Sequence, residues 1–190
     1  MTPEENISLQ QEWCDCASPA IQKGARDAVI ETVLKLSELG IPIGKVLEIG
    51  PQYGFGLDEW KKHSEEVLGV DIVPEFIESC HGLGLNCLNC PAEEIDDHVD
   101  GKWNFYMRDS AEHFIDKELV FSKILPMTDK WIYLSVPVEP DEPRDKAHLS
   151  KFNSIEEARS LFNGMTMVFE RLREPTEAIN GRYLGIWIKD

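Results

Sequence analysis

K-V-L-E-I-G-P-Q-Y-G-F-G, residues Lys45 to Gly56, joins a run of branched apolar residues, broken by one acid, to a cluster of glycines. Such a run is the pattern of a parallel strand buried on both faces, and the glycines mark a tight turn into a helix. Gly50, Gly54 and Gly56 allow positive φ and let a ligand come within contact distance of main-chain N–H groups. The following helix adds partial positive charge at its N-terminus, so the turn is expected to hold a nucleotide-like or carboxylate-bearing ligand.

The spacing of the glycines separates two ligand classes. A dinucleotide fingerprint is G-x-G-x-x-G with the pyrophosphate on the helix N-terminus. Here the order is Gly50-x-x-x-Gly54-x-Gly56, and Glu48 lies two residues before the first glycine. With these residues the chain resembles the class I S-adenosylmethionine-dependent methyltransferases, in particular the small Rossmann-like ones acting on metabolites, over about residues 46–149. The resemblance implies S-adenosyl-L-methionine as cofactor, held in part by Glu48, Gly50, Gln52 and Gly54. Gln52 stands where a second glycine is common. Its side chain either donates a hydrogen bond toward the methionine carboxylate or turns away.

The chain's 190 residues suit one domain, read here as 1–190, with residues 1–17 as an N-terminal segment. In the family this segment often covers the pocket, so Trp13 is either part of a lid or an anchor for the terminus. No stretch approaches the roughly 18 apolar residues of a membrane span, and the start M-T-P-E-E-N is polar and acidic, unlike a secretory signal. A cytoplasmic location is expected. The 19 Lys and Arg against 35 Asp and Glu give a formal net charge of −16, which repels a polyanion and argues against nucleic acid as substrate. Five cysteines without an export signal are expected to be free thiols. Cys87-x-x-Cys90, with Cys80 and His81 nearby and Cys14 and Cys16 upstream, is one ligand pair without a second of proper spacing, so no metal is expected.

A first helix is expected over 18–39, with Ser18 as N-cap, Pro19 at its first position and Gly40 and Pro42 as the stop. Ala25, Val29 and Val33, with Ile30 and Leu34, would form its sheet-facing stripe. A second strand, 67–70, ends at Asp71, which falls 21 positions after Gly50, near the interval of about 20 at which a carboxylate meets ribose hydroxyls. The resemblance assigns Asp71 that role, with Ile72 beside it. Capping of the next helix is the alternative, compatible with the first.

A third strand, 84–88, leads into N-C-P-A-E-E-I, similar to the family segment beside the adenine. Pro91 replaces the usual acid there, leaving the Ala92 N–H and Glu93 as candidates, or simply a helix start with acids in its first turn. The fourth strand, 103–107, precedes R-D-S-A-E-H-F, whose Glu112-His113 matches a common family ending. Strand ends face the crevice in open α/β sheets, which places Arg108 with the cofactor and Asp109 and His113 near the transferred methyl. A packing or helix-start residue is the alternative reading of His113. After a helix at 116–125 stopped by Pro126 and a strand at 131–136, a Pro-rich charged loop runs from Pro137 to Phe152. Pro137, His148, Leu149 and Phe152 loosely match a family pattern, which makes His148 the acceptor-side candidate; a solvated loop histidine is the alternative. Glu139, Asp141 and Glu142 beside Arg144 and Lys146 would select a polar or cationic acceptor.

Ser154-x-x-Glu157 is a capping box for a helix ending at Asn163-Gly164, and the alternating segments 165–172 and 183–188 read as an antiparallel pair. The expected fold is therefore α/β, a Rossmann-like three-layer sandwich. Its sheet has seven mostly parallel strands and a C-terminal antiparallel hairpin, the last strand inserted between the fifth and sixth as the resemblance implies. The expected function is methyl transfer to a small-molecule acceptor, with His148, His113 and Asp109 as catalytic candidates. Alternatives are a non-catalytic cofactor- or partner-binding protein of this fold and, less favoured by the spacing, an NAD(P)-dependent oxidoreductase.

Overall fold

The first strand, β1 (Val46–Ile49), is buried along its whole length, as its apolar run requires. A computed structural model describes residues 2–11, 18–139, 146–173 and 181–189. Around β1 the described residues form one seven-stranded sheet in the order β3-β2-β1-β4-β5-β7-β6, with β2 Val67–Asp71, β3 Cys87–Asn89, β4 Trp103–Arg108, β5 Thr128–Pro137, β6 Thr166–Arg173 and β7 Arg182–Ile188. The strands β3, β2, β1, β4 and β5 run parallel; β7 pairs antiparallel with both β5 and β6. The strand order reverses direction between β1 and β4, so a crevice opens at their C-terminal ends. The inserted antiparallel β7 also departs from the parallel order of a dinucleotide-binding sheet.

Alternation along each strand sends side chains to two helical layers. Leu47, Ile49, Phe105, Met107, Ile132 and Leu134 pack on one face with Val120, Phe121 and Ile124 of α6 (Lys117–Met127). Val46, Tyr106, Trp131 and Tyr133 pack on the other face with α2 (Pro19–Glu38) and Trp60 of α3 (Phe55–Trp60). The remaining helices are α1 (Pro3–Gln11), α4 (Pro74–Gly82), α5 (Ile95–His98) and α7 (Ile155–Ser160).

Several local expectations change. Helix α2 is capped by Ser18, which accepts from Ile21 N at 3.3 Å, but its buried positions are Val29, Thr32 and Leu36, while Ile30 and Leu34 are 40% and 63% exposed. The buried face is displaced from the expected stripe toward Thr32 and Leu36, and Thr32 can be buried because its hydroxyl donates to Ala28 O at 2.8 Å. Pro126 does not stop α6. It lies in the last turn, where the helix runs to Met127 and passes directly into β5. The capping box is half formed: Glu157 N donates to Ser154 Oγ at 3.1 Å, but the Glu157 carboxylate accepts from Asn153 N at 2.8 Å instead of Ser154 N. Helix α7 ends at Ser160, before the Asn163-Gly164 turn. The third strand starts only at Cys87. Cys87 packs with Leu57, Ile77 and Leu85, and Cys90 in the opposite main core, so the C-x-x-C pair is split between two hydrophobic clusters.

Candidate active site

The glycine turn is built by three separate constraints. Gly50 has φ 77°, and a Cβ there would lie 2.7 Å from Ser110 Cβ, so the residue lets the ends of β1 and β4 close on each other. Gly54 has φ 81°, and a Cβ would meet Cys80 Sγ and Leu85 at 2.9 Å. Gly56 is not in the left-handed region. A Cβ there would come within 2.7 Å of Glu48 Oε1, so the glycine leaves room for that carboxylate. Gln52 takes a left-handed conformation, φ 50°, so the turn keeps the shape a glycine would give it. Asp71 ties this turn to the end of β2: its carboxylate accepts from Gln52 N at 3.2 Å and Val73 N at 3.0 Å. It accepts from the N-cap amide of α4 rather than capping that helix itself.

Two lobes meet over this turn, sharing Gly50, Gln52 and Asp109. The first is a cleft of about 580 Å³ reaching Asp71, Ile72, Ala92, Glu93 and His113. The second reaches Glu48, Arg108 and Arg182. Together they bring most of the candidates to one place. Gly54 lies beneath them, against Cys80 and Leu85, and supports the turn. Sequence reasoning missed Phe76, Ser110 and Phe114, and the contribution of Asn6 and Gln10 from α1. The polar run 3–11 has no amphipathic period to announce a helix. Asn6 nonetheless reaches the site, Nδ2 donating to His113 O at 3.3 Å, with Gln10 Nε2 donating to Asn6 Oδ1 at 3.3 Å. Trp13 lies outside the described residues, as do Asp141, Glu142 and Arg144.

Burial shapes the acids. Glu48 is 6% exposed, and its Oε2 has no hydrogen-bond partner. Desolvation raises its pKa to about 8, moderated by the Arg108 charge and reinforced by Asp71. Desolvation likewise raises Asp71 to about 6, opposed by the N–H bonds from Val73, Gln52 and Ile72. Asp109, at φ 53°, ends β4, where Ser135 Oγ donates to it at 3.0 Å and Arg182 lies 3.2 Å away. Glu93 accepts from Ile115 N at 2.7 Å and Asp116 N at 3.2 Å, joining the 3-10 turn Ala92–Glu94 to the start of α6.

His113, from the 3-10 turn after β4, and His148, from the end of the loop that begins at Pro137, come together. The rings meet edge to face at a centroid distance of 5.1 Å. Only His113 of the two reaches the cleft; His148 stands behind it. Glu139 is 5% exposed and accepts from His148 Nδ1 at 2.7 Å, so it does not present its charge to an acceptor in solvent.

No protein-family model and no curated protein sequence matches the chain. Solved structures do. The N-methyltransferase NodS from Bradyrhizobium japonicum WM9, in complex with S-adenosyl-L-homocysteine, is similar at TM-score 0.72 and 13% identity, over 98% of this chain and 96% of that one. Magnesium protoporphyrin IX methyltransferase from Synechocystis PCC 6803, with bound S-adenosylmethionine, gives 0.67 and 17% over 90% and 82%. The plantazolicin methyltransferase BamL, in complex with a desmethyl plantazolicin analogue and S-adenosylhomocysteine, gives 0.70 and 13% over 96% and 90%. The chain has the class I S-adenosylmethionine-dependent methyltransferase fold. In that fold the crevice between β1 and β4 is where the two lobes described above meet. Among the described residues no helix is long and apolar enough to cross a membrane.

Proposed function

We propose that the chain binds S-adenosyl-L-methionine and transfers its methyl to a small-molecule acceptor. The observation that carries this reading is a two-lobed cleft with a buried carboxylate in each lobe, one of which, Glu48, has an oxygen without a partner. That arrangement suits a ligand with an ammonium group at one end and paired hydroxyls at the other. When bound, S-adenosylmethionine supplies a methyl made electrophilic by its sulfonium, so the protein's task is mainly in-line positioning. Asp71 would accept from the ribose hydroxyls beside Ile72, and Glu48 from the amino group, while Arg108 attracts the carboxylate. The Ala92 N–H, first in its 3-10 turn and without an acceptor there, would serve the adenine edge with Glu93 nearby. Neither departure from the family pattern removes this capacity: Pro91 leaves the Ala92 amide in place, and Gln52 preserves the turn.

On the acceptor side, Asp109 and His113 border the cleft from the end of β4, and His148 positions His113. The acceptor would enter beneath α1, whose Asn6 and Gln10 cover this end as part of a lid. Calorimetry with S-adenosylhomocysteine and with NAD tests the cofactor. Saturable binding of the first and not the second is expected, and the reverse would refute the reading. A labelled-methyl screen tests the acceptor: label in a small molecule is expected, and label only in tRNA or DNA would overturn that part. Cofactor binding with no product on any acceptor would favour a non-catalytic role.

A further inference from the structure

The 3-10 turn Ala111–His113 after β4 is clamped along the returning segment 147–150. Ser150 N donates to Glu112 O at 2.9 Å, and Ser150 Oγ donates to Phe114 O at 2.8 Å. A third tie joins His113 Nδ1 to Ala147 O at 2.9 Å. These ties bring His148 onto the His113 ring, with Glu112 beside both. Glu112 is 2% exposed, and its Oε2 is buried without a hydrogen-bond partner. A carboxylate oxygen in that position lacks a donor or a cation to offset its desolvation.

The two imidazoles are oriented by the same neighbourhood. A carbonyl oxygen can only accept, so the Ala147 bond puts the hydrogen of neutral His113 on Nδ1 and the lone pair on Nε2. The Glu139 carboxylate does the same for His148 Nδ1 at 2.7 Å. A carbonyl or a carboxylate behind the far nitrogen is how metal-binding histidines are commonly held. One ligand atom from each of Glu112, His113 and His148 lies within 4.8 Å of the others, so side-chain shifts of about 1 Å would bring them to the roughly 3.3–3.6 Å that separates ligand atoms around a tetrahedral ion bound at about 2.0–2.2 Å.

We propose that Glu112, His113 and His148 form a site for one divalent transition-metal cation, of which zinc is the type, at the edge of the cleft. Two imidazoles and one carboxylate are a donor set zinc accepts, and it leaves a fourth position for water or a ligand atom. The cation offsets the buried Glu112 charge and fastens segment 147–150 to the turn that carries His113. Because His113 reaches the cleft, the open position serves an oxygen or nitrogen of the acceptor; that role, unlike the site itself, rests on the methyl-transfer reading. The expectation of no metal came from weighing cysteine spacing, whereas these ligands are 35 residues apart, from His113 to His148, and meet only in the fold.

The test is titration of chelator-treated full-length protein with zinc chloride, followed by calorimetry and elemental analysis, with cobalt(II) as a spectroscopic substitute. One zinc per chain is expected, with a cobalt spectrum free of thiolate charge-transfer bands. Glu112→Gln and His148→Asn should each weaken binding more than tenfold, and Glu139→Gln, behind His148, should weaken it roughly 10- to 100-fold. Cys87→Ser with Cys90→Ser should leave it unchanged. No saturable binding by the wild-type chain would overturn the proposal whatever the variants do. So would thiolate bands, or equal binding by folded Glu112→Gln protein. None of these readouts uses S-adenosylmethionine, so failure here is separate from failure of the methyltransferase reading.

Discussion

Asp71 would serve two roles on the proposed reading. Its carboxylate holds the Gln52 and Val73 amides and borders the cleft where ribose hydroxyls would lie. Asp71→Asn keeps the volume but loses the charge, and hydrogen bonds to a charged group are worth about 1.5–3 kcal/mol each. Calorimetry should show S-adenosylhomocysteine affinity falling by at least that of one bond in a variant that remains folded by circular dichroism; unchanged affinity would exclude the ribose role. Glu48 carries a pH signature. The folded chain keeps its proton up to about pH 8, whereas the unfolded chain releases it near the ordinary value of 4.5. Between these values the native state binds more protons, so the free energy of unfolding falls as pH rises. Asp71, raised to about 6 from 3.8, adds the same sign over the lower part of that window. Urea midpoints of the ligand-free protein should therefore decline between about pH 5 and pH 8, and Glu48→Gln should flatten the upper part.

At the scale of elements, the junction of β1, β4 and β5 depends on one buried polar side chain. Asn104 Nδ2 donates to Ile43 O at 2.8 Å, and Oδ1 accepts from Lys130 N at 2.8 Å and Trp131 N at 2.9 Å, bridging the irregular register between β4 and β5. Asn104→Ala removes the acceptor of the Lys130 and Trp131 amides, of which the Trp131 one is buried, while Ile43 O keeps a bond from Trp131 Nε1 at 3.2 Å. An unsatisfied buried group costs about 1–3 kcal/mol, and denaturant unfolding should register a loss of that order. The inserted β7 has its own requirement. A Cβ on Gly185 would lie 2.4 Å from the Trp187 ring, which itself stacks on Phe162 at a centroid distance of 3.8 Å. Gly185→Ala should cost about 1–3 kcal/mol by overpacking, and an unaltered urea midpoint would show that the ring shifts freely.

Over the whole molecule, a net charge of −16 coexists with a local cluster of Arg108, Arg171, Arg173 and Arg182 around a cavity that adjoins the Glu48 lobe. A cleft concentrates the field of the charges that line it, so the average charge does not describe what a small anion meets there. Affinity for S-adenosylhomocysteine, which carries a carboxylate, should fall as salt is raised, and Arg108→Gln should remove much of that dependence. Salt-independent binding by the wild-type protein would place the carboxylate elsewhere.

The sequence alone determined the central strand, the glycine turn, the acid at the end of β2 and the antiparallel pairing at the C-terminus. Each of these is written in local chemistry: apolar runs, positive-φ glycines, a chain interval and period-two alternation. Local chemistry does not state which side chains from distant segments share a buried volume. Thr32 replaced Ile30 and Leu34 inside because a backbone bond satisfied its hydroxyl, and Asn104 became a core bridge for the same reason. α1 reached the cleft without an amphipathic pattern, through one amide bond to His113. Glu112, His113, Glu139 and His148 became one group only when the strand ends and the returning loop were packed together. In a buried space, hydrogen-bond satisfaction selects the neighbours, and that selection is made by tertiary structure.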